Sequence, residues 1–156
     1  MLQDGHPAPD VMLPGETGKI VHLSKLKGAP VVLYFYPKDD TSGCTAEAKD
    51  FSCLATEFKA AGAHLIGVSP DSVASHAKFI AKHGLSISLL ADEDKTAAAA
   101  YGVWVEKSMY GKKYMGVERS TFLIDKVGRI VQSWRKVKVL DHASEVLAAV
   151  KALNSR

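Results

Sequence analysis

The side chains best suited to chemistry in this chain meet in one short turn. Cys44 ends the run Thr41-Ser42-Gly43-Cys44, after the apolar stretch 31–36 and the polar residues 38–43. A thiol attacks as the thiolate, and an ordinary cysteine, with a pKa of about 8.5, is mostly protonated at neutral pH. Hydrogen-bond donors and positive potential favour the anion. A helix N-terminus supplies both, through its unpaired N–H groups and its dipole. With Thr41 as N-cap, Cys44 takes the third helical position, from which a side chain reaches back toward the N-cap N–H. A thiolate there accepts backbone donors as a carboxylate would, and the Thr41 hydroxyl is placed to donate to it or to a substrate beside it. The chemistry is nucleophilic attack by sulfur. The nearby charges do not assist: between Pro37 and Asp50, Lys38 and Lys49 face Asp39, Asp40, Glu47 and Asp50, a net of −2. A cation must come from elsewhere, and Arg119, which opens the run STFLID, is the candidate. Without such support a cysteine in a turn is more often a small buried hydrophobe.

The elements around the turn must hold it. Residues 31–36 (VVLYFY) are a continuous apolar run rich in β-branched and aromatic side chains, the pattern of a strand buried on both faces. Pro37 stops it. A helix is expected over about 45–61, with Phe51, Leu54, Ala55 and Phe58 at i, i+3, i+4 and i+7, ended by Gly62. A strand over 64–68, a helix over 72–83 closed by Gly84, a short strand over 87–90 and a helical stretch over 93–101 follow. Strands over 120–125 and 129–134 are joined by Lys126, Val127 and Gly128, and an amphipathic helix spans 141–153. Residues 10–27 carry turn signals at Pro14-Gly15 and Thr17-Gly18 and read as an N-terminal β-hairpin. This order predicts an α/β fold with a central mixed β-sheet flanked by helices. Crossovers are right-handed. Ligand sites in such sheets lie beyond the C-terminal strand ends, where 37–44 falls.

The totals limit the alternatives. The chain has 156 residues, 47% hydrophobic and 24% charged, which suits one domain, 1–156, with a real core. The net charge of +3 is spread along the chain, apart from Lys112 with Lys113 and Arg135 with Lys136 and Lys138. Those read as solvated faces and a hairpin tip, and no reader motif for nucleic acid accompanies them. The opening residues MLQDGHPAPD lack the basic and apolar regions of a secretory signal. No apolar run approaches the ~20 residues of a membrane span. Two cysteines in this setting point to a reducing, cytoplasmic compartment. The six histidines (His6, His22, His64, His76, His83 and His142) show no metal-ligand spacing.

The stretch 36–48, YPKDDTSGCTAEA, resembles the peroxiredoxin active-site motif P-x-x-x-T-x-x-C. Its T-x-G-C-T-x-E version is similar to the bacterioferritin-comigratory-protein, or PrxQ, branch. APDVMLP near the start, YGVWVEKSMYGKKYMGVERSTFLID at 101–125 and GRIVQSWRKVK at 128–138 agree, so the resemblance covers essentially the whole chain. It implies a thioredoxin-like fold and a thiol-dependent reductase of hydrogen peroxide and organic hydroperoxides, with no metal or organic cofactor. Cys44 would then be the peroxidatic cysteine and become a sulfenic acid. Thr41 would hydrogen-bond peroxide and thiolate, Pro37 would shield the site from water, and Arg119 would hold and polarise both. Glu47 matches a frequent family residue; since a lone carboxylate would oppose a thiolate, its expected role is to orient Arg119. Thioredoxin or a glutaredoxin-type protein would be the reductant, and the branch is often monomeric.

One position departs from this pattern. Many members of the branch carry a resolving cysteine five residues after the peroxidatic one, where this chain has Lys49. The other cysteine, Cys53, is nine residues on. On a helix that is about 180° around and ~13 Å along the axis, beyond the roughly 4.4–6.8 Å between Cα atoms that a disulfide needs. Cys53 is therefore a resolving residue that acts after local unfolding, a partner between molecules, or a bystander. The helical wheel predicts that it is partly exposed. Trp104, Tyr110 and Tyr114 are candidates for the peroxide-entry side or for hairpin packing. Two rival functions fit the same fold. A thiol–disulfide oxidoreductase needs C-x-x-C, and Thr41 stands at the first of those positions. A non-catalytic redox sensor would keep Cys44 without needing Thr41 or Arg119.

Overall fold

A computed structural model describes residues 2–156. In chain order it has β1 (Met12–Pro14), β2 (Ile20–His22), a 3-10 turn (Leu23–Leu26), β3 (Val31–Phe35), α1 (Ser42–Cys53), α2 (Ala55–Ala60) and β4 (His64–Ser69). Then come α3 (Val73–His83), β5 (Ser88–Ala91), α4 (Thr96–Ala100), β6 (Trp104–Met109), β7 (Lys112–Val117), β8 (Ser120–Ile124), β9 (Ile130–Trp134) and α5 (His142–Asn154).

The apolar run at 31–35 becomes the middle strand of a five-stranded sheet of order β5-β4-β3-β8-β9. β3 pairs in parallel with β4 and antiparallel with β8. Its side chains alternate between the two faces, as the strand period requires. Val32, Tyr34 and Tyr36 join the core formed with Phe51, Phe58, Phe79, Val146 and Val150. Val31, Leu33 and Phe35 join a second core with Ala97, Ala98, Tyr101 and Phe122. Helices α1, α2, α3 and α5 thus cover one face, and α4 with the N-terminal segment covers the other. The mixed sheet, its flanking helices and the small β1–β2 hairpin follow the sequence expectation.

The helix expected over 45–61 is in fact two. Leu54 (φ −99°, ψ 3°) leaves the helical conformation, and its N–H bonds back three residues to the Phe51 carbonyl. The Ser52 hydroxyl beside it accepts the Ser86 N–H and ties the break to the approach to β5. Phe51 and Phe58 still both reach the core, each 0% exposed. Apolar spacing alone therefore could not reveal the break. The β6–β7 hairpin is also absent from the sequence reading, beyond its basic tip. Most of its residues are exposed, so it lacks the alternation that marks a half-buried strand. Tyr110 and Gly111 turn it, both with positive φ.

Candidate active site

Cys44 sits in the first turn of α1, with Thr41 as an extended N-cap whose carbonyl accepts the Thr45 N–H at 2.8 Å. The N–H groups of Ser42, Gly43 and Cys44 have no carbonyl within the helix to bond. The thiol is 2% exposed and free.

Arg119 reaches this sulfur because of strand pairing. Antiparallel register sets Ser120, at the start of β8, beside Phe35, at the end of β3. The residue before β8 is thereby brought to the strand end from which the chain turns into α1. Arg119 Nη2 lies 3.4 Å from Cys44 Sγ, and Nη1 donates to Glu47 Oε1 at 2.6 Å. Glu47 stands on α1 three residues after Cys44, on the same face. Its side chain is 2% exposed, against 17% for that of Arg119. Burial pushes the Glu47 carboxyl up to about 7, against the pull of Arg119. Among the described residues its other oxygen, Oε2, has no hydrogen-bond partner. Partial burial opposes the Arg119 charge, but Glu47 and Cys44 hold its pKa above the ordinary arginine value. The guanidinium is thus a permanent cation between a carboxyl that anchors it and a sulfur it can stabilise as an anion. Gly43 leaves room for it: a Cβ there would stand 3.1 Å from Nη2.

Thr41 occupies its expected place, but its hydroxyl does not point at the sulfur. It donates to the Lys38 carbonyl at 2.8 Å and makes no capping bond. The donor role toward the thiolate is corrected accordingly. With its hydrogen committed, the oxygen keeps its lone pairs for an incoming O–H. Pro37 is half-buried at the start of the same loop. Cys53 ends α1 and is exposed, nine residues along the same helix from Cys44. Trp104 packs beside the second core under the Lys95 ammonium, whereas Tyr110 is 99% exposed at the hairpin tip and Tyr114 is 44% exposed.

Four residues near the site receive no role from the sequence. Gly43 is one. Asp39 is buried in the loop and His76 on α3. His142 is buried at the start of α5, with Nε2 2.8 Å from the Thr121 hydroxyl. Burial, then the Arg119 charge, lowers His142 to about 4. Gly43 does lie in the T-x-G-C motif, but the other three carry little local signal, since apart from Tyr36 beside Asp39 their hydrogen-bond partners come from elements far away in the chain.

The AhpC/TSA family matches residues 5–133. Peroxiredoxin Bcp of Bacillus subtilis (strain 168) is 50% identical over 155 residues, covering 99% of both chains. Peroxiredoxin Bcp of Xanthomonas campestris pv. campestris is 55% identical over 122 residues, 78% of this chain and 76% of that one. Among solved structures, Xanthomonas campestris Peroxiredoxin Q superposes with a TM-score of 0.88 at 49% identity, covering 92% of this chain and 91% of the other. A trapped intermediate/ligand complex of the Xanthomonas campestris bacterioferritin comigratory protein, described for its alkyl peroxide reduction activity, gives 0.88 at 49% identity, covering 92% of each chain.

Proposed function

We propose, for a chain that belongs to the AhpC/TSA family and is a thiol-dependent peroxidase of the Bcp/PrxQ kind, that Cys44 is the sulfur attacking the peroxide. The contact of Arg119 with both Cys44 Sγ and Glu47 carries this assignment. Its fold is thioredoxin-like.

The sulfur anion attacks the terminal peroxide oxygen in line with the O–O bond. The S–O bond forms as the O–O bond breaks. Two electrons pass from sulfur to the departing oxygen, which takes up a proton and leaves as water or alcohol. Cys44 is left as a sulfenic acid. Arg119 shares its N–H groups between the sulfur and the charge that grows on the oxygens, where fixed donors are worth most. Glu47 holds the guanidinium in that position. Thr41, with its own hydrogen on the Lys38 carbonyl, accepts the hydroperoxide O–H, and Pro37 keeps water off one side. The deep burial of Cys44 supports slender peroxides as substrates.

An external thiol, of the thioredoxin or glutaredoxin type, then reduces the sulfenic acid. Cys53 shares a helix with Cys44, so an internal disulfide requires α1 to unwind. We read the 156 residues as one domain, which the pairing of β3 with β8 across most of the chain supports. We also read it as a cytoplasmic monomer; among the described residues no helix is long and apolar enough to cross a membrane.

Peroxide consumption coupled through thioredoxin, its reductase and NADPH tests the assignment. It should vanish in Cys44→Ser; undiminished consumption in that variant would refute it. Mass spectrometry after one equivalent of peroxide, wild type against Cys53→Ser, separates the reset routes. A sulfenic acid unchanged in both makes Cys53 a bystander, and an internal disulfide lost in the variant makes it the resolving residue.

A further inference from the structure

The loop carrying Pro37 and Thr41 is gripped from outside the active site by a buried cluster that the peroxidase chemistry does not use. Asp40 adopts positive φ (61°), so Asp39 points inward and Asp40 outward. Asp39 is 7% exposed. Its Oδ1 accepts the Tyr36 hydroxyl at 2.5 Å, and its Oδ2 accepts the Ser75 hydroxyl at 2.8 Å and meets His76 Nδ1 at 2.8 Å. Its backbone N–H donates to Asp71 Oδ2 at 2.8 Å. On the outer side, Asp40 meets Lys82 at 2.6 Å and His83 at 2.8 Å. Helix α3 thus holds both carboxylates of the loop.

The protons on His76 follow from its surroundings. Nε2 lies 2.8 Å from the Leu90 carbonyl, which can only accept, so Nε2 carries a hydrogen. Nδ1 faces a carboxylate oxygen. The Tyr36 hydroxyl is the one donor that could serve Nδ1 instead, but it stands 3.4 Å from Nδ1 and 2.5 Å from Asp39. One proton must therefore lie between Nδ1 and Asp39 Oδ2; carried on Nδ1 it makes His76, 0% exposed, an imidazolium paired with Asp39. The titratable groups facing it are Asp39 from the loop, Asp71 from the β4–α3 connection and Tyr36 from the end of β3. Burial alone would lower the His76 pKa, but Asp39 and then Asp71 raise it above the ordinary value.

We propose that the buried His76–Asp39 pair is a positioning device for the peroxidase reaction, clamping residues 38–41 to α3 and β5 so that Thr41 and Pro37 stand correctly beside Cys44. His76 and Asp39 touch neither sulfur nor peroxide. They act through the loop, and the proposal rests on Cys44 being the peroxide-reducing thiol. A reactant displaced by about 1 Å can lose on the order of 100-fold in rate. Alkylation of the same sulfur by a small reagent needs neither Thr41 nor an aligned O–O bond.

The test compares two reactions of Cys44, sulfenic acid formation with hydrogen peroxide and alkylation by iodoacetamide, in wild type, Asp39→Asn and Ser75→Ala. In Asp39→Asn the peroxide rate should fall about 30-fold or more, with alkylation changed less than about threefold. Ser75→Ala, which keeps the ion pair but removes one donor, should show the same split at about fivefold. An equal fall in both reactions, or an unchanged peroxide rate, overturns the proposal. Nitrogen-15 NMR of the wild-type imidazoles at neutral pH provides a readout that needs no variant to fold. Two protonated ring nitrogens on His76 are expected, and a neutral ring overturns the proposal. A wild-type Cys44 that forms no sulfenic acid would instead refute the peroxidase reading, and the NMR result would stand apart from it.

Discussion

At the scale of single residues the proposed site is three side chains and a gap. Cys44, Arg119 and Glu47 share charge and hydrogen bonds, and Gly43 leaves the space the guanidinium occupies. Removing a preorganised donor of this kind costs about 100-fold or more, so Arg119→Ala should lower kcat/KM for hydrogen peroxide by that amount. Gly43→Ala should lower it about tenfold, because the added Cβ pushes Nη2 away from the sulfur. The same change should leave stability equal or raise it by up to about 1 kcal/mol, since alanine favours helix over glycine. Peroxide kinetics beside urea unfolding check both halves, and a loss of stability that matched the loss of activity would contradict the steric account. The place of Cys44 and Thr41 at a helix start is legible in sequence, and so is the need for a cation; that Arg119 supplies it was an expectation that local chemistry alone does not single out. The direction of the Thr41 hydroxyl was not legible. Which acceptor takes its hydrogen depends on the path of the loop at Lys38, and residue type does not encode that path.

At the scale of elements, β3 was the most legible and the β6–β7 hairpin the least. A run of large apolar residues has one stable place, between two covered faces. The break at Leu54 and the β6–β7 hairpin lacked such a signature, because neither changes the apolar period that sequence displays. The contact of β3 with β4 carries a requirement of its own. The Tyr34 ring crosses Gly67, where a Cβ would stand 2.8 Å from both Tyr34 Cζ and Leu89 Cδ2. These neighbours are 1% and 0% exposed and have little room to yield. Gly67→Ala should therefore destabilise the fold by about 3 kcal/mol, as measured by chemical denaturation. A change under about 1 kcal/mol would show that the two side chains can repack.

At the scale of the whole molecule, two buried groups give stability opposite pH slopes. Glu47, raised from 4.5 to about 7, binds its proton more tightly when folded, so its contribution falls as pH rises between those values. His142, lowered from 6.5 to about 4, is bound less tightly when folded, so its contribution falls as pH drops between those values. The two offset each other over about 4.5–6.5. Glu47→Gln should expose the His142 slope, with thermal stability rising as pH increases through that window and wild type staying flatter. Parallel curves would refute the Glu47 shift. Sequence alone determined that Cys44 opens a helix at the end of a buried strand, because apolar runs, caps and turns are local and their chemistry is written in neighbouring residues. It also implied the family, because the motif at 36–48 and the block at 101–125 each combine several specific residues. Only the tertiary structure decided that Arg119 meets Cys44 across 75 residues and that His76 meets Asp39 across 37. Those meetings depend on strand register and helix docking, which arise from packing the whole chain and leave no mark in the spacing of the residues that meet.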